Sequence, residues 1–130
     1  MTLPAVDSTY LKEKGIPHQV IIEANMVCVL FPGFALPLGY DRAQADLLLR
    51  LSPGYPDVPP DMWWFDPPVT PSDGRPIQAT ESREQYLGRA WQRWSRHLNQ
   101  GQWRPGTDSL ETFLALIRRE LQRSAAAPAA

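Results

Sequence analysis

An α+β fold is predicted for this 130-residue chain by three features of the sequence. Two runs rich in β-branched residues, HQVIIE and MVCVLF, follow one another between His18 and Phe31, with only Ala24 and Asn25 between them. Further apolar runs, Ala45 to Leu51 and Met62 to Phe65, come next in series. The C-terminal third then changes to helical periodicity. Consecutive strands with short connections pair antiparallel, and flanking helices cover the sheet. The expected order is an N-terminal helix, an antiparallel meander of about four strands and C-terminal helices.

The first helix is read from Asp7 as its N-cap, Tyr10 and Leu11 as its apolar edge, and Gly15 as its stop before Pro17. Ala24 and Asn25 give the next two runs the form of a hairpin. Cys28, flanked by Val27 and Val29, reads as a small buried hydrophobe. Gly33, Pro37 and Gly39 punctuate a connection before the third strand at Ala45 to Leu51. In GYPDVPPD, Pro56, Pro59 and Pro60 each fix φ and bias the preceding residue toward extended backbone, which makes a stiff strap before the fourth strand. The segment DPPVTPSDGRP then forms a long loop.

Two helices are expected to close the chain. Ser82 and Gln85 have capping-box spacing, and Leu87, Trp91, Trp94 and Leu98 fall on one helical face with Arg89, Arg93 and Arg96 opposite. In the last helix Asp108 and Glu111 give the capping signal, Leu110, Phe113, Leu114, Ile117 and Leu121 the apolar stripe, and Arg118, Arg119 and Arg123 the basic C-terminal end. Residues 1–123 are read as a single domain and 124–130 as a disordered Ala/Pro tail.

A formal net charge of −1 argues against nucleic-acid binding, which needs clustered lysine and arginine. No apolar run approaches the ~20 residues of a membrane helix. The N-terminus carries no secretory pattern, so the cytoplasm is expected and a membrane partner is not. Cys28, the single cysteine, cannot form a disulfide within the chain. His18 and His97 stand far apart, with no metal-ligand spacing, and the glycines are scattered. No metal and no cofactor are expected.

The densest cluster of reactive side chains is WQRWSRHLNQGQWRPG, from Trp91 to Gly106. A serine hydroxyl becomes a nucleophile when a base takes its proton, and imidazole is the commonest base. Ser95 and His97 are therefore the candidate pair, with Arg93, Arg96 and Asn99 as candidate donors to a developing oxyanion. On a helix, residues i and i+2 point about 200° apart, so the pair would meet only if the helix ends there. The alternative is that the tryptophans are core, the arginines a solvated face and His97 a C-terminal helix cap.

The element order, the strap of Tyr55, Pro56, Pro59 and Pro60 before the fourth strand, and Trp103-x-Pro105 leading into the last helix resemble the ubiquitin-conjugating enzyme superfamily. Related non-catalytic RWD-type domains share a similar strap. In the enzymes the catalytic cysteine stands eight residues before the Trp-x-Pro tryptophan, and in this chain that position is Ser95. The family's histidine-proline-asparagine motif is missing, with Leu87 at the equivalent distance. The stretch around Ser95 is most similar to a divergent prokaryotic branch lacking the catalytic cysteine. The resemblance implies a ubiquitin-like modifier and an activating-type enzyme as partners. It also implies an acyl carrier that uses Ser95 as an oxyester, or alternatively an inactive scaffold that binds the same partners.

Overall fold

The computed structural model describes residues 2–126. It contains an N-terminal helix α1 (Ala5–Glu13), strands β1 (Gln19–Glu23), β2 (Met26–Ala35), β3 (Gln44–Leu51), β4 (Trp63–Asp66), β5 (Arg83–Tyr86) and β6 (Arg89–Trp94), and a C-terminal helix α2 (Leu110–Ala125). All six strands form one antiparallel sheet in the order β1-β2-β3-β4-β6-β5. The α+β class, the leading helix and the β1–β4 meander are as expected. β2 runs further than expected, through Pro32 and Gly33, by way of an irregularity between Phe31 and Phe34 that interrupts the ladder where proline cannot donate.

The helix expected around Trp91 is overturned. The segment around Trp91 and Trp94 forms the β5–β6 hairpin, turning at Leu87 (φ +53°) and Gly88 (φ +76°), so the described residues hold six strands and a single C-terminal helix. The apparent helical stripe comes from a strand buried on both faces. Trp94 joins Trp63, Phe65, Val29 and the α2 residues in the main core, whereas Trp91 joins Cys28, Leu30, Leu48 and Trp64 on the opposite face. The sheet curls so that the Glu23 side chain, at the end of β1, accepts the Leu87 N–H from the turn of the far hairpin.

The helices differ from expectation at their caps. α1 starts at Ala5 behind Pro4, and Asp7 lies inside it, 1% exposed. Its carboxylate accepts the Tyr55 hydroxyl at 2.8 Å and the first α2 amide, of Leu110, at 2.9 Å. α1 ends as expected at Gly15, with Ile16 N–H on the Leu11 carbonyl and Gly15 N–H on that of Lys12. α2 starts from Ser109, whose N–H donates to Thr112 Oγ1, while the Asp108 carboxylate accepts the Arg104 N–H. The α2 stripe is buried as expected, each side chain contributing about 1.5–3 kcal/mol relative to an exposed one. α2 continues through Ser124, which is buried, and Ala125, past the boundary expected for the tail; residues 127–130 lie outside the described residues.

Candidate active site

At the end of β6 the chain leaves the sheet in a tight turn around Ser95. The Arg96 N–H donates to the Trp94 carbonyl at 3.0 Å, the Ser95 N–H to Ala79 at 3.0 Å, and the Met62 N–H to the Arg96 carbonyl at 3.1 Å. Met62 and Ala79 both hold positive φ, +62° and +60°. Such backbone costs a non-glycine residue roughly 1–3 kcal/mol and tends to accompany functional sites. The turn is thus clamped between the residue ahead of β4 and the loop preceding β5.

Within it Ser95 Oγ lies 3.2 Å from His97 Nε2, and His97 Nδ1 lies 2.7 Å from Asp61 Oδ1. The two candidate residues meet in the turn at Ser95, closed by the Arg96 N–H on the Trp94 carbonyl, which brings side chains two apart to one side. A carboxylate only accepts, so Nδ1 carries the proton donated to Asp61, and the lone pair of the neutral ring is left on Nε2, facing Ser95. Asp61 follows Pro60, the buried end of the proline strap, and reaches His97 because the β4–β6 register pairs Trp63 with Trp94. The site is open to water: the His97 side chain is 60% exposed and that of Asp61 56%.

The candidate donors are placed differently. Arg96 places its Nε 2.6 Å from Glu120 and its guanidinium over the Trp94 ring, with one amino group on the carbonyls of Gln78 and Ser95. Burial raises the Glu120 carboxyl, but hydrogen bonds from Arg123 and Arg96 outweigh it and hold the group below its ordinary range. Arg93 is paired with Glu84 at 3.2 Å. Asn99 is exposed; its N–H donates to Gln102 Oε1, and its carboxamide makes no hydrogen bond among the described residues. Cys28 is fully buried, which pushes its thiol up despite Arg50 beside it.

The family-motif residues tie the strap to the segment ahead of α2. Trp103 donates its indole N–H to the Pro56 carbonyl at 2.8 Å and lies against the Tyr55 ring. Pro59 is exposed on the strap, and Pro105 bridges to Asp108 just before α2. His97 also lines an open groove of about 470 Å³ that runs to Leu116 and Arg119 of α2. Among the described residues no three His, Cys, Asp or Glu side chains are grouped to hold a metal ion, and no helix is long and apolar enough to cross a membrane.

Sequence reasoning missed Asp61, which stands 36 residues from His97. The pairing of MWWF with RAWQRW places the residue after the strap beside the end of β6, and that register has no local signal in the sequence.

The chain matches the family model described as prokaryotic E2 family E over residues 3–124. No curated protein and no solved structure matches it. With an E2-like fold and a family match spanning nearly its whole length, the chain belongs to prokaryotic E2 family E.

Proposed function

We propose that this protein is an acyl carrier in a ubiquitin-like conjugation pathway, loaded on Ser95 as an oxyester. The observation that carries the reading is the 3.2 Å contact between Ser95 Oγ and His97 Nε2 at the position where the resembled enzymes keep their cysteine. Ser95 Oγ attacks the thioester carbonyl that joins the modifier's C-terminus to an activating enzyme. His97 Nε2 takes the hydroxyl proton, and the C–S bond breaks as the departing thiolate is protonated. Asp61 keeps the ring oriented and stabilises the imidazolium. The modifier's extended C-terminal segment has room in the groove toward α2. An amine or hydroxyl acceptor then attacks the serine ester, which is less reactive than a thioester and depends more on the base.

A second reading, a scaffold that binds modifier or activating enzyme without chemistry, draws support from one feature. The amides of Ser95 and Arg96, beside the nucleophile, are engaged by Ala79 and Trp94 and are unavailable to an oxyanion. The test is a reaction with the cognate activating enzyme, ATP and modifier. A carrier forms an adduct that withstands thiol reductant and yields to base. Ser95→Ala removes the adduct, Ser95→Cys converts it to a reducible thioester, and His97→Ala slows loading by roughly 10². An adduct that persists in Ser95→Ala, or no adduct with either wild type or Ser95→Cys, overturns the carrier reading.

A further inference from the structure

We propose that Ser95, His97 and Asp61 also form a hydrolytic site: the protein passes an acyl group from Ser95 to water and so acts by itself as an esterase toward small activated acyl compounds. The inference rests on the carrier reading only in taking Ser95 as the nucleophile.

Three observations support it. The hydrogen bonds run from serine hydroxyl to imidazole to carboxylate, at 3.2 Å and 2.7 Å, in the arrangement by which a neutral imidazole can accept a proton at one nitrogen while its other nitrogen stays fixed. The array is held by backbone: the Ser95 turn is clamped by Ala79 and Met62, and Asp61 is carried on the stiff strap. Finally, the His97 and Asp61 side chains are more than half exposed, so water reaches the imidazole.

The reaction closes in two steps. Ser95 Oγ adds to the carbonyl carbon of an activated ester while His97 Nε2 takes the hydroxyl proton. The bond to the leaving alkoxide or phenoxide breaks, and the proton passes to it. Once acylated, Oγ has no proton to share with Nε2, and the lone pair of the imidazole is free for a water molecule. Nε2 removes a proton from that water, the resulting hydroxide adds to the carbonyl carbon, and the C–Oγ bond breaks as Nε2 returns the proton to Oγ. A carboxylic acid leaves and Ser95 is restored.

On the same loop the His97 N–H and the Asn99 carboxamide make no hydrogen bond among the described residues, and they are the remaining candidates to donate to the oxyanion. With neither of the amides beside the nucleophile free, turnover is slow compared with that of a hydrolase that has both.

The experiment uses the whole chain and p-nitrophenyl acetate, with no other protein present. Release of p-nitrophenol continues past one equivalent, and Ser95→Ala and His97→Ala lower the rate above background by about 10². Asp61 is a positioning residue in this scheme. Asp61→Asn lowers kcat about tenfold with KM unchanged, and Asp61→Glu restores part of the loss. Tryptophan fluorescence melts establish that each variant is folded. Wild type no faster than Ser95→Ala overturns the inference. So does an acetyl group that mass spectrometry finds on Ser95 and that stays there. Ester turnover without modifier loading removes the carrier reading and leaves this one standing; loading without turnover does the reverse.

Discussion

Two aspartates in this molecule make similar hydrogen bonds in opposite surroundings. Asp7 is 1% exposed and joins α1 to the strap through Tyr55 and to the start of α2 through Leu110, where a negative charge suits the helix dipole. Asp61, more than half exposed, holds only the His97 ring among the described residues. Water decides what each bond is worth. A buried carboxylate with donors at both oxygens cannot lose them cheaply, and removing it strands a phenol and a helix-end amide in the core. An exposed carboxylate exchanges its partner for water at little cost, so its bond can serve orientation without adding much stability.

The largest effect expected from this contrast belongs to Asp7→Ala, which should lower the unfolding free energy by about 3 kcal/mol in denaturant titration. Burial and the Asp7 carboxylate both push the Tyr55 hydroxyl above its ordinary range, so it remains a donor at any pH the fold tolerates and loses its acceptor in this variant. A change below ~1 kcal/mol would mean that the strap and α2 hold together without the aspartate, and the contrast would fail.

Asp7 and Asp61 also differ in how they could be read. The meander was visible because each strand carries its own apolar run, and α2 because its five apolar side chains repeat at helical spacing. The hairpin at 83–94 was not, because β6 is buried on both faces: Trp91 and Trp94 lie on opposite sides of one strand but imitate a helical face when counted along the chain. Ser95 and His97 were legible as residue types, and the wrong period hid their meeting. Asp61 and Asp7 depend on register and on packing between distant segments, which a single chain read in order does not display. Asp7 looked like a helix cap because local spacing favoured it, and tertiary demand from Tyr55 and Leu110 prevailed.

Glu120 falls between the two aspartates. It is 14% exposed and ties Arg96, next to Ser95, to α2. Its carboxyl is held low in the folded protein, so the stabilisation it gives is complete above its unfolded value near 4.5 and is lost as pH falls through the lower folded value. Glu120→Gln should cost about 1–2 kcal/mol at neutral pH. It should also flatten the fall of stability in the acid region, as measured by denaturant midpoints across pH 3–6. An equally steep acid fall in the variant would place that dependence on other carboxylates and detach the Ser95 turn from α2.

Asp61→Asn completes the contrast with the smallest structural effect. An exposed pair of this kind is worth about 0.2–1 kcal/mol, so the variant should melt within experimental reach of wild type. The asparagine can still present its carbonyl oxygen to Nδ1, but it can equally present its amide N–H, which favours the tautomer with the proton on Nε2 and leaves Ser95 facing a donor. Loading of Ser95 should therefore fall by about tenfold while the melt stays in place. A variant that loses stability as Asp7→Ala does would make Asp61 a structural residue. One that keeps both melt and loading rate would mean that the Ser95 turn alone orients the imidazole.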